Sequence, residues 1–102
     1  MRTSEEISRI KAILRTERDR NASAPFLYDA KLAFFEDPET DPFDFCYAYA
    51  FQIRNIGAEE QISYHRAVEI ATSVREAVRL WLSGALPDDV FLCTDRSNWP
   101  WE

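Results

Sequence analysis

A chain of 102 residues with a net charge of −6 has room for one domain, and such a domain buries roughly two-thirds of the surface its unfolded chain exposes. Its 46% apolar and 29% charged residues give the balance of a globular protein rather than a disordered one. No apolar run approaches the ~20 residues of a membrane span, the first residues lack a signal peptide's apolar stretch, two glycines make no phosphate-binding glycine loop, and one histidine makes no multi-histidine metal centre.

The first predicted helix covers residues 3–20. Thr3 and Glu6 form a capping box, in which hydroxyl and carboxylate satisfy the free amides of the first turn. Ile7, Ile10 and Leu14 follow at helical spacing, with Ile13 beside them. Arg15, Arg18 and Arg20 gather at the far end, where cations complement the carbonyl end of the helix dipole. Lys11, Arg15 and Arg18 also share one side at i, i+4 and i+7, which makes them a candidate docking face for an acidic partner.

A second helix is expected over 24–36, opened by Ser23 as cap and Pro25 in the first turn. Helical spacing groups Phe26, Ala30, Ala33 and Phe34 there, while alternation groups Phe26, Tyr28, Ala30, Leu32 and Phe34. Asp37-Pro38-Glu39-Thr40-Asp41-Pro42 breaks the chain on either reading. Residues 42–56 carry two conflicting patterns. Phe43, Phe45, Tyr47, Tyr49, Phe51 and Ile53 alternate with smaller or polar residues, as in a half-buried strand. Against this, Asp41 and Pro42 read as N-cap and first residue of a helix, and Gly57 reads as its stop. On a helical wheel Asp44, Ala48, Gln52 and Asn55 form a polar face opposite Phe45, Cys46, Tyr49, Ile53 and Ile56. The absence of valine and of a turn-forming glycine from 25–56 favours the helix.

Residues 58–84 read as the longest helix. Ala67, Ile70, Ala71, Val74, Ala77, Val78, Trp81 and Ala85 recur at three and four, with His65, Glu69, Thr72 and Glu76 on another face. Gly84 ends the helix and Pro87 follows it. The core is expected to be this helix against the first, with the aromatic middle laid over both. Residues 87–102 form a C-terminal extension, in which Val90-Phe91-Leu92-Cys93 returns to the core as a short strand or a turn of helix. The expected fold is thus a single all-α domain, residues 1–102, of about four helices. The alternative is α+β, with a hairpin over 26–54.

Chemical groups are sparse. His65 and Glu69 stand at i, i+4, but two side chains do not make a metal site. Cys46 and Cys93 sit among apolar neighbours, where burial makes a thiol inert, and a cytoplasmic chain with two reduced thiols is the simpler reading than a disulfide. The carboxylates from Asp37 to Asp44 alternate as in a calcium loop, but the loop lacks its glycine and has Ala48 where the bidentate glutamate belongs. No catalytic residue, metal ligand or cofactor is therefore assigned.

The charge is segregated: +2 over residues 1–20, −6 over 29–60 and −2 over 61–102. An acidic chain is not drawn to phosphate backbones, which argues against nucleic acid as partner, and nothing suggests a membrane. Fourteen rings (seven Phe, four Tyr, three Trp) are many for an interior of this size, and surface Trp and Tyr anchor protein interfaces. The reading is a non-catalytic cytoplasmic protein that binds another protein as adaptor, assembly subunit or inhibitor. Its candidate contact residues are Trp99 and Trp101, the bases Lys11, Arg15 and Arg18, and the acids Glu39 and Asp41. Two other readings are a metal-binding or Cys/His-dependent enzyme centred on His65, and a homodimer formed through the aromatic surface.

Overall fold

The structure is a computed structural model that describes residues 1–20, 26–56 and 64–92, with residues 50–56 described by backbone alone. The described residues form five helices: α1 (Ser4–Arg20), α2 (Phe26–Glu36), α3 (Pro42–Ile56), α4 (Tyr64–Ser83) and α5 (Asp88–Leu92). The all-α expectation holds, and residues 42–56 are helical. The expected beginnings of the second helix at 24 and of the long helix at 58 lie outside the described residues. None of the described helices is long and apolar enough to cross a membrane.

Local chemistry explains the boundaries. Thr3 Oγ1 accepts the Glu6 amide at 3.1 Å and Glu6 Oε1 accepts the Thr3 amide at 3.3 Å, so the capping box forms as read. Asp41 Oδ1 accepts the Phe43 amide at 2.8 Å, and Pro42 opens α3 where no amide is needed. At the end of α4, the Ala85 amide reaches back to the Leu80 carbonyl at 2.9 Å and the Gly84 amide to the Trp81 carbonyl at 3.0 Å. This paired closure requires a left-handed residue, and Gly84 supplies it with φ of 88°.

The core is built around α4, which buries Ala67, Val68, Ile70, Ala71, Val74, Ala77, Val78 and Trp81. Helix α4 packs chiefly on α2 and α3, and α1 packs on α2. This corrects the expectation that α1 and α4 would form the main contact. Only Ile10 and Leu14 of α1 are buried, too narrow a face to cover the stripe of α4. Helix α2 is apolar enough to lie between, burying Phe26, Tyr28, Ala30 and Phe34. Phe26 meets Tyr49 edge-on at 5.0 Å and Phe45 at 5.8 Å, and Phe34 meets Phe45 at 5.7 Å, so rings weld α2 to α3. Each such side chain contributes about 1.5–3 kcal/mol when fully buried.

Two polar devices hold the ends. Helix α5 places Phe91 in the core against Phe35 and Trp81, so Val90–Leu92 return to the interior as helix. The ammonium of Lys31, wholly buried on α2, donates to the Phe91 carbonyl at 2.8 Å. At the other end the Arg2 guanidinium lies 4.6 Å from the Trp81 ring centre and donates to the carbonyls of Trp81 and Leu86 at 3.0 and 2.8 Å. It also pairs with Glu6 at 3.1 Å, and Trp81 Nε1 donates to Asp88 at 2.7 Å.

Candidate functional site

Three large rings that the core does not use stand where α3 begins and α4 begins. Phe43 is 59% exposed, Tyr47 73% and Tyr64 48%. The reason is helical geometry. Phe45 and Tyr49 take the inward side of α3, so Phe43 and Tyr47, also four apart, are left outside. The Tyr64 hydroxyl donates to the Phe43 carbonyl at 3.3 Å and ties the two helix starts together.

Beside these rings runs a groove of about 500 Å³ lined by Phe43, Tyr64, His65, Val68, Glu69, Thr72 and Ser73. Its volume lies within the range of small-ligand and peptide-anchor pockets. Its α4 wall consists of two rows at four-residue spacing, Tyr64-Val68-Thr72 and His65-Glu69-Ser73. In the polar row Glu69 is engaged: it accepts from Arg66 at 2.6 Å and from His65 Nε2 at 2.9 Å. The Arg66 hydrogen bond, with a lesser contribution from His65, holds the Glu69 carboxyl below the usual carboxylate range. The groove thus offers apolar contact with a fixed polar edge.

The residues read as candidates from sequence fall in three places. Lys11 pairs with Glu36 at 2.5 Å and Arg18 pairs with Asp29, so both cations are engaged on α2. Lys11, aided by the charge of Arg15, lowers the pKa of Glu36; Asp29, chiefly by hydrogen bonding, raises that of Arg18. Arg15 is exposed. Glu39 and Asp41 lie together between α2 and α3. Arg79 reaches Glu39 at 3.4 Å and the Pro38 carbonyl at 3.2 Å, and Asp41 caps α3 beside Phe43. Trp99 and Trp101 lie outside the described residues. Lys11 and Arg18 are therefore brought to α2, and Asp41 stands beside Phe43, a residue of the groove wall.

Sequence reasoning missed Phe43, Tyr47, Tyr64 and Val68. The signal was present in the alternation of rings over 43–49, which in a helix puts aromatics on both sides at once.

Of the residues of the enzyme reading, His65 and Glu69 pair with each other on α4. His65 stands on the outer face of α4 with its side chain 90% exposed. Cys46 is buried, and desolvation pushes its thiol pKa up to about 11. Among the described residues, no group of three or more His, Cys, Asp or Glu side chains is placed to hold a metal ion. Cys93 lies outside them. No known protein family, curated protein or solved structure significantly matches the chain.

Proposed function

We propose that the protein is a small non-catalytic binding factor of the cytoplasm, an adaptor, assembly subunit or inhibitor, and that it takes its protein partner in the groove beside Phe43, Tyr47 and Tyr64. The observation that carries this reading is the exposure of three rings, two of which, Phe43 and Tyr64, line one apolar cavity. Exposed apolar clusters on a small domain mark interaction surfaces, and aromatic anchors dominate binding energies. Charge plays the secondary part of orienting the partner.

The test is affinity capture from the native host with the wild-type chain beside a Phe43→Ala, Tyr47→Ala double variant. Both positions are exposed, so the variant is expected to keep its melting curve to within about 0.5 kcal/mol in stability. A partner captured by the wild type and lost by this variant supports the reading. Equal capture by both refutes the groove. A parallel Trp99→Ala, Trp101→Ala variant asks whether the C-terminal tryptophans belong to the same contact. Light scattering on each variant detects self-association through the same face.

A further inference from the structure

The groove is apolar, and exposed carboxylates without an ion pair among the described residues stand beside it. Where α1 meets α2, three acids are spent within the fold: Glu36 on Lys11, Asp29 on Arg18 and Glu17 on Arg20. At the groove the cations are spent instead, Arg66 on Glu69 and Arg79 on Glu39. Three acids there have no ion pair among the described residues. Asp41 caps α3 and Asp44 lies on its first turn, on either side of Phe43, and Glu76 stands one turn beyond Thr72 and Ser73 on the outer face of α4; all three are exposed. Arg75, on the flank of α4, is the only cation of α4 without an ion pair among the described residues, and its Nε is buried without a hydrogen bond. The balance at the rim is negative, in keeping with the net charge of the chain.

We infer that the segment held in this groove is cationic: a polypeptide that seats a large apolar side chain against Phe43, Tyr64 and Val68 and carries Lys or Arg on both sides of it. This rests on the proposed binding function and adds the chemistry of the partner. The division of labour follows from magnitudes. Exposed charge pairs are individually weak and screened by salt, so the acids set the approach and the register, while the ring contacts set the lifetime of the complex. An acidic segment meets three uncompensated carboxylates in the same place. A second copy of this chain, laid groove to groove, brings like charges together and is disfavoured for the same reason.

The test uses two synthetic end-blocked peptides of about 15 residues, long enough for a marginally stable helix. They share one pattern of Leu and Phe, with Lys at every polar position of one and Glu at every polar position of the other. Binding is measured by titration calorimetry and mapped by amide chemical shifts on the labelled full chain. The Lys peptide is expected to bind, with shifts at Phe43, Tyr47, Tyr64 and Val68, and the Glu peptide is not. Phe43→Ala with Tyr47→Ala should weaken the Lys peptide by about tenfold or more. Asp44→Lys with Glu76→Lys should weaken it by about tenfold and remove most of its salt dependence.

Equal binding of both peptides in the groove overturns the cationic assignment and leaves the groove standing. Binding of the Lys peptide that ignores the ring substitutions, or shifts that map elsewhere, overturns the groove itself. Binding of neither peptide overturns the cationic assignment, and the capture experiment with the ring variant then decides the groove separately.

Discussion

Replacing Trp81 by Phe tests the account of the core most directly. Trp81 is 0% exposed, touches Phe35 and Phe91 at 5.5 and 5.8 Å, and gives its only donor to Asp88. Phenylalanine keeps a ring but removes the indole nitrogen and part of the volume. A residual void of about 40 Å³ at about 24 cal/mol per Å³ costs about 1 kcal/mol. A hydrogen bond to a charged acceptor contributes about 1.5–3 kcal/mol, but the Asp88 side chain is 38% exposed, and water replaces part of it. About 1 kcal/mol is the share to expect. A weaker contact with the Arg2 guanidinium removes about 0.5 kcal/mol more. The expected loss is about 2–3 kcal/mol, or a fall in Tm of about 10–20 °C for a domain of this size. Urea unfolding followed by far-ultraviolet circular dichroism measures it without relying on tryptophan emission. Asp88→Asn, which keeps an acceptor and removes the charge, should cost about 1 kcal/mol by the same assay. A loss below about 0.5 kcal/mol for Trp81→Phe would refute the claim that this side chain is sealed and hydrogen-bonded.

Acid should weaken the fold in a defined window. Glu6, held by the Thr3 amide and Arg2, Glu36, held by Lys11, and Glu69, held by Arg66, all have pKa values below 4.5 in the folded chain. A lowered folded pKa gives stability that is complete above the unfolded value and is lost as pH falls through the folded one. The urea midpoint should therefore drop below pH 4.5, less steeply in Glu36→Gln, and a flat profile contradicts the three contacts. Asp41→Ala removes the cap of α3 and should cost about 1 kcal/mol in the same assay; no loss means that α3 does not depend on it. In a Cys93→Ser background, Cys46 should resist thiol reagents near neutral pH until the chain unfolds, because burial holds its pKa at about 11. Fast labelling of the native state would show the thiol to be accessible.

The helices were legible because their ends carry distinct chemistry. Thr3 with Glu6, Asp41 with Pro42, and Gly84 with Pro87 mark boundaries by backbone hydrogen-bonding needs that sequence alone displays. The stripe of α4 was legible for the same local reason. The order of packing was not, because apolar periodicity says which face is buried but not against what; the width of α2's buried surface decided that. The burial of Lys31 was equally hidden, since its acceptor, the Phe91 carbonyl, is 60 residues away. The cross-helix pairs of Lys11, Arg18 and Arg79 escaped for this reason too. The groove was half legible. The alternation at 43–49 that resembled a strand is what a helix shows when one pair of rings enters the core and the next pair stays outside.

The position of Arg2 has a consequence for how the chain is made. Its acceptors at Trp81 and Leu86 lie 79 and 84 residues downstream. Synthesis delivers this arginine about 80 residues before its acceptors, and a contact of such long range adds little until the intervening loop is closed. On the ribosome, α1, α2 and α3 emerge with their faces for α4 uncovered, and the Arg2 contacts close only after Leu86 has left the exit tunnel.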